Sequence, residues 1–186
     1  MNCLLELFRP DQYARAVSEI DVDALAAEGY QCLVLDLDNT LVPWKSTDIP
    51  VSSKDWVERA KRAGLKMCIV SNTHNPRRLQ SIAGQLGVPW IARALKPRLG
   101  GFARAAKMLG SPPERGVVVG DQVLTDILGG NLARMHTILV RPMQTHEFIG
   151  TRLNRFVERA ILALVSRAQA REQSQTITSQ KERDSK

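Results

Sequence analysis

The chain has 186 residues, of which 44% are hydrophobic and 24% charged; this is enough apolar material for one globular domain and excludes a largely disordered protein. No apolar run reaches the roughly 18 residues that a membrane-spanning helix needs, and the first residues lack the basic and apolar regions of a secretory signal. Two of the three cysteines, Cys32 and Cys68, lie within apolar runs, which favours a reducing, cytoplasmic compartment. The net charge of +7 favours anionic partners, whether phosphorylated small molecules, lipid surfaces or nucleic acid.

Short apolar runs alternate with amphipathic segments along the chain. Runs rich in Val, Ile or Leu predict buried strands over residues 30–36, 65–71, 116–121 and 136–141. Amphipathic segments that end on a glycine predict helices over residues 52–64, 75–87 and 100–110, and the first two also begin with serines or with a proline near the helix start. This alternation of strand and helix predicts an α/β fold with a mostly parallel sheet.

Polar residues follow three of the predicted strands at the points where those strands end. They are Asp36 and Asp38, Ser71 and Asn72, and Asp121 with the nearby Asp126. Ligands of parallel sheets bind outside the carboxyl ends of the strands, so we expect these side chains at one edge. Carboxylates without histidine or cysteine nearby suit Mg²⁺ and suit zinc poorly. Lys96, just before a predicted helix, adds a positive charge, and the set fits phosphoryl transfer, which needs alignment and charge neutralisation.

Most of these residues, taken alone, also have a purely structural explanation. Residues 38–40 could form a turn, and Ser71 and Asn72 could cap the helix that follows them. Lys96 could be a solvated surface lysine, and Asp126 could cap a helix. The occurrence of all of them together, in order, favours the functional interpretation.

The histidines and two of the tryptophans carry weaker signals. His74, His136 and His146 are scattered through the sequence, so no metal role is assigned to them. His74 lies beside the Ser71 motif, where it could contact substrate, although a position in a surface loop is the expected one. Trp44 and Trp56 could shape the entrance of a site, although core packing is the expected role of both.

Four short motifs carry a resemblance to a known family. They are "DLDNT" (36–40), "SNT" (71–73), "KP" (96–97) and "GDQVLTD" (120–126). In this order they resemble the four motifs of the haloacid dehalogenase (HAD) superfamily. The stretches "LDLDNTLVPW" and "VVVGDQVLTDILGGNLARMHTILVRPM" look like the YqeG-type HAD phosphatases of subfamily IIIA, which are related to the mitochondrial phosphatidylglycerophosphate phosphatase. The resemblance implies a three-layer Rossmann-like fold without a separate cap domain.

The spacing of the motifs agrees with the absence of a cap. Only residues 41–70 separate the first motif from the second, and residues 73–95 lie between Asn72 and Lys96. Both intervals are shorter than the roughly 50 residues of a small domain. We therefore expect an open active site, which suits large or surface-bound substrates better than small free metabolites.

The resemblance also implies roles for individual residues. Asp36 would be the nucleophile that forms an aspartyl-phosphate, and Asp38 would be the general acid and base. Mg²⁺ would be held by Asp36, the backbone carbonyl of Asp38 and Asp121, with Asp126 in a supporting role.

The remaining motif residues would bind phosphate or hold the site together. Ser71 and the backbone amide of Asn72 would bind a phosphoryl oxygen, while Lys96 would offset the charge of the phosphate and of the nucleophile. Thr40 would fix its loop through hydrogen bonds from its side chain to the backbone.

The sequence divides into three regions. Residues 1–150 are expected to form the HAD-like phosphatase domain, residues 151–172 a basic amphipathic helix, and residues 173–186 a disordered tail. Residues 151–186 carry eight Lys or Arg and four Asp or Glu. The helix could lie on an anionic membrane surface, or it could dock on its own domain or on a partner.

The function expected from these observations is a Mg²⁺-dependent phosphomonoester phosphatase that acts through an aspartyl-phosphate. Phosphatidylglycerophosphate is the leading substrate, with peripheral contact at the inner face of the membrane. One alternative is a phosphatase for a soluble nucleotide, a sugar phosphate or a phosphoprotein. Another is a binding module associated with nucleic acid or the ribosome, and the intact pair Asp36 and Asp38 argues against it.

Overall fold

The sheet is the framework of the molecule. The computed structural model describes residues 3–144; the predicted regions 151–172 and 173–186, together with His146, lie outside them. The strands are β1 (Gln12–Ala14), β2 (Cys32–Leu35), β3 (Lys66–Val70), β4 (Trp90–Ile91), β5 (Gly116–Gly120) and β6 (His136–Val140). They form one six-stranded sheet in the order β1-β6-β5-β2-β3-β4, and every neighbouring pair is parallel.

Helices connect the strands. They are α1 (Cys3–Glu6), α2 (Val22–Ala27), α3 (Val51–Arg62), α4 (Pro76–Leu86), α5 (Leu99–Leu109) and α6 (Leu128–Leu132), with 3₁₀ turns at Val17–Glu19 and Pro113–Arg115 and a π-helix at Val123–Ile127. The local sequence explains α4 well. The Asn75 side chain accepts a hydrogen bond from the Arg78 amide, Pro76 occupies the first turn, and Gly87 ends the helix in the left-handed conformation. All four strands and all three helices predicted from the sequence are confirmed.

Side chains of the central strands alternate between two apolar layers. Leu33, Leu35 and Ile69 pack with α2, α3 and α4 on one face of the sheet. Val34 and Cys68 pack with α5 on the other face. The result is the expected three-layer arrangement of helices, sheet and helices.

No cap domain interrupts this framework at either of the two motif loops. Residues 36–50 lead directly from β2 to α3, and residues 71–75 lead directly from β3 to α4. Within residues 3–144, none of the helices combines the length and the apolar character needed to cross a membrane.

Candidate active site

The carboxyl edge of the sheet gathers the predicted site residues. Asp36 and Asp38 follow β2, Ser71 and Asn72 follow β3, and Asp121 follows β5. The three strands are hydrogen-bonded neighbours, and the amide of Asp36 donates to the carbonyl of Val119 on β5 at 2.9 Å. The common edge predicted for these residues is therefore confirmed.

Lys96 is the central positive charge of the site. Its Nζ donates to Oδ1 of Asp36 at 2.5 Å and to Oδ1 of Asp126 at 2.6 Å, and all three side chains are buried. Burial alone would lower the pKa of Lys96, but the carboxylates of Asp126 and Asp36 outweigh it and raise that pKa. The alternative of a solvated surface lysine is wrong, and Lys96 is fully charged at neutral pH.

Asn72 holds the loop that carries Lys96. Its side-chain Oδ1 accepts from the backbone amide of Lys96 at 2.8 Å, and its Nδ2 donates to the carbonyl of Lys96 at 3.1 Å. The buried Ser71 accepts from the amide of Thr73 through its Oγ at 3.1 Å. The helix that follows is capped by Asn75, so the proposed capping role of Ser71 and Asn72 is wrong.

Three buried carboxylates meet at this edge. Asp36, Asp121 and Asp126 each place one oxygen within 4.8 Å of the others. Burial raises the pKa of Asp36 from 3.8 to about 7; the Lys96 ammonium opposes this shift and Asp126 adds to it. An all-oxygen set in which three carboxylates gather around a single ammonium fits a hard divalent cation such as Mg²⁺.

Asp126 owes its position to the π-helix that follows β5. Its Oδ2 accepts from the amide of Gln122 at 3.2 Å, while its Oδ1 accepts from Lys96. The carboxylate packs directly on Gly120, where any Cβ atom would clash with it. Asp126 therefore supports Lys96 as well as the acidic cluster, and the glycine of the "GDQVLTD" motif is needed for steric reasons.

Arg78 is a site residue that the sequence analysis missed. From α4 it donates to both carboxylate oxygens of Asp38, at 2.8 and 3.1 Å, and to the carbonyl of Ser46 at 2.8 Å. The Arg78 side chain is only 10% exposed, and the backbone amide of Lys45 also donates to Asp38, at 2.9 Å. Asp38 is thus held in one orientation by a bidentate pair.

Thr40 does not make the predicted hydrogen bond. Its side chain is buried, and its Oγ1 has no hydrogen-bond partner within the described residues. Backbone bonds close the loop instead: the amides of Leu41 and Val42 donate to the carbonyl of Leu37, and the amide of Asn39 donates to the carbonyl of Val42. The predicted turn at residues 38–40 is present, and it serves to present Asp38.

An open cavity of about 740 Å³ lies above these groups. It is lined by Asp36, Asp38, Asn39, Trp44, Lys45, Ser71, Asn72, Thr73, His74, Asn75, Arg78 and Gln122. The Lys45 ammonium lies 4.4 Å from the centre of the Trp44 ring. Core packing is confirmed for Trp56 but is wrong for Trp44, which shapes the cavity. His74 is exposed, as expected, and it also lines the cavity.

Known proteins resemble this chain in sequence and in fold. Residues 94–147 match the family described as HAD-hydrolase-like. The probable phosphatase YqeG of Bacillus subtilis is 40% identical over 164 residues, which are 88% of this chain and 95% of that protein. The chloroplastic phosphatidylglycerophosphate phosphatase 1 of Chlamydomonas reinhardtii is 31% identical over 73% of this chain and 54% of its own length. The cobalt-bound deoxy-D-mannose-octulosonate 8-phosphate phosphatase YrbI of Haemophilus influenzae shares the fold, with a TM-score of 0.50 and 16% identity over 62% of this chain and 70% of its own.

The fold, the motif residues and the match to known sequences define the class of HAD-like hydrolases. The identity to YqeG over nearly the whole of both chains is high enough that this chain belongs to the YqeG-type phosphatases of the HAD superfamily. The resemblance carried by the four motifs is therefore confirmed, and the protein is an enzyme that acts on a phosphorylated substrate.

Proposed function

We propose that the protein is a Mg²⁺-dependent phosphomonoester phosphatase that acts through an aspartyl-phosphate. The observation that carries this proposal is the placement of Asp36: a buried carboxylate at the end of a central strand, bound to the Lys96 ammonium and facing an open cavity. A nucleophile so placed is in reach of a phosphoryl group, and Lys96 offsets the negative charge that two anions bring together.

The residues around the cavity supply the remaining roles in this proposal. Asp36 attacks phosphorus, and Asp38 protonates the leaving oxygen and then takes a proton from the water that hydrolyses the aspartyl-phosphate. Ser71, the amide of Asn72 and Lys96 bind the phosphoryl oxygens. Asp36, the carbonyl of Asp38 and Asp121 would hold Mg²⁺, with Asp126 in support. A bound Mg²⁺ supplies electrostatic screening between the nucleophile and an anionic substrate.

A substitution of Arg78 tests the role of Asp38 in this proposal. Replacing it with glutamine (Arg78→Gln) removes the bidentate hold on Asp38. We expect kcat to fall by about a hundredfold, because a misplaced acid and base costs that much, while KM changes less. Arg77→Gln is the matched control, since Arg77 is the exposed neighbour of Arg78 on α4, and Arg78→Lys should restore part of kcat. Equal kcat values for Arg78→Gln and Arg77→Gln would contradict the positioning role.

For the substrate we propose a lipid phosphomonoester, phosphatidylglycerophosphate, met at the inner face of the membrane by a cytoplasmic enzyme. Two observations support it. The relative from Chlamydomonas reinhardtii is a phosphatidylglycerophosphate phosphatase, and a further relative, from Arabidopsis thaliana, carries the same name at 28% identity over 80% of this chain and 44% of its own length. The cavity is open, as access to a headgroup at a surface requires.

The experiment is a comparison of two substrates with the full chain. Phosphate release from p-nitrophenyl phosphate and from phosphatidylglycerophosphate in detergent micelles is measured with Mg²⁺ and with EDTA. We expect release from both in Mg²⁺ only, with the higher kcat/KM for the lipid. Rapid cleavage of p-nitrophenyl phosphate without cleavage of the lipid would overturn the lipid substrate and leave the phosphatase. Release that is unchanged in EDTA would overturn the metal dependence.

A further inference from the structure

Exposed apolar side chains flank Lys96 where the chain enters α5. Leu95 is 58% exposed and Leu99 is 49% exposed, and both flank the segment that carries Lys96. A third exposed apolar side chain, Val51, lies at the start of α3, on the same edge of the sheet. Exposed apolar side chains grouped in one segment can form a binding surface, whereas isolated ones carry no such signal. We call residues 93–99 the rim loop.

The rim loop is held firmly in this exposed arrangement. Hydrogen bonds between Asn72 and the Lys96 backbone fix its centre, and the amide of Arg98 donates to the carbonyl of Leu95 at 2.9 Å. Leu95 has a φ of 58°, in the left-handed region that a leucine rarely adopts. The backbone therefore presents this leucine to solvent at a conformational cost that a residue such as asparagine would avoid.

The cations of the rim loop are available to an external anion. Arg93 and Arg98 are exposed, and neither guanidinium has a hydrogen bond or an ion pair within residues 3–144. On the opposite edge of the sheet, by contrast, Lys61 donates to the carbonyl of Leu86 and Lys66 to the carbonyl of Leu109. Those lysines bond to helix ends, whereas Arg98 lies between the exposed Leu95 and Leu99 and Arg93 lies two residues before Leu95.

We propose that the rim loop is a membrane-contact surface whose partner is an anionic lipid bilayer. Leucines that enter the interface, with arginines beside them for anionic headgroups, match the chemistry of such a surface. The loop also carries Lys96, so docking brings a lipid phosphate to the residue that bonds Asp36. The proposal rests on the proposed lipid substrate for its purpose, although docking itself does not require catalysis.

The test measures binding of the full chain to vesicles by sedimentation. The rim variant is Leu95→Asn with Leu99→Gln, where asparagine suits the left-handed backbone. The control variant is Met108→Gln with Leu132→Gln, because these side chains are exposed to similar degrees, 53% and 43%, on the opposite edge. The vesicles are made of phosphatidylcholine, either pure or with about one third phosphatidylglycerol. Hydrolysis of p-nitrophenyl phosphate shows whether the active site of each variant is intact.

We expect the wild type to bind the anionic vesicles and to bind pure phosphatidylcholine weakly. The rim variant should lose about tenfold in partition coefficient, the control variant should bind as the wild type does, and both should keep their p-nitrophenyl phosphate activity. Equal binding of the rim variant and the wild type would overturn the proposal, as would a wild type that binds neither vesicle. Rim-dependent binding by an enzyme that does not cleave the lipid would support docking and overturn only the lipid substrate.

Discussion

Replacing Asp36 with asparagine is expected to reduce phosphate release by roughly a thousandfold or more, because the variant has no carboxylate with which to form the covalent intermediate. The amide has nearly the same shape as the carboxylate, and Lys96 keeps its second partner, Asp126. The fold should therefore persist. Activity on p-nitrophenyl phosphate, incorporation of phosphate into protein trapped by acid, and circular dichroism together measure this result.

The stability of the Asp36→Asn variant, relative to that of the wild type, should increase with pH. The folded state raises the pKa of Asp36 from 3.8 to about 7, chiefly through burial. The folded protein thus holds this proton more tightly than the unfolded chain does, so the wild type loses stability as the pH rises between those two values. In EDTA, the melting temperature of Asp36→Asn minus that of the wild type should therefore increase as the pH rises from 3.8 to about 7.

Asp55→Asn is the control for both measurements, since Asp55 is exposed on α3. It should retain wild-type activity and a wild-type dependence of melting temperature on pH. Residual activity of Asp36→Asn within tenfold of the wild type would refute the role of Asp36 as the nucleophile. A parallel pH dependence of the two melting temperatures would refute the raised pKa.

The strands that the sequence predicts are those that helices cover on both faces of the sheet. The central strands β2, β3 and β5 are continuous apolar runs because helices cover both faces of the sheet. The edge strands β1 and β4 have three and two residues and bury too little to leave such a run. The π-helix after β5, which carries Asp126 beside Lys96, is not among the elements predicted from the sequence.

In the site, residues whose position follows from the neighbouring sequence are predictable, whereas contacts between distant parts of the chain are not. Asp36 and Asp121 are predictable because each directly follows a strand whose direction is known, and Asp38 is only two residues beyond Asp36. The partner of Asp38 is not predictable, since Arg78 lies 40 residues away and resembles any other arginine of an amphipathic helix. Tryptophan is a residue type that usually packs in the core, and only the path of the loop between β2 and α3 brings Trp44 to the cavity.

Replacing Lys96 with methionine is the change from which we expect the largest loss of stability. The methionine keeps the apolar stem but leaves Asp36 and Asp126, both buried, without the ammonium that bonds them. Removing one partner of a buried ion pair typically costs about 3–5 kcal/mol. We expect a loss of this size in urea-induced unfolding at neutral pH in EDTA, with loss of activity, because the charge that offsets the phosphate is gone as well.

Magnesium separates the electrostatic cause from simple loss of packing. A divalent cation in the cluster of Asp36, Asp121 and Asp126 would replace part of the missing charge, so Mg²⁺ should raise the unfolding free energy of Lys96→Met by more than that of the wild type. Lys54→Met, at an exposed position on α3, should be as stable as the wild type with or without Mg²⁺. A destabilised Lys96→Met that gains nothing extra from Mg²⁺ would mean that packing, rather than uncompensated negative charge, is what the lysine provides.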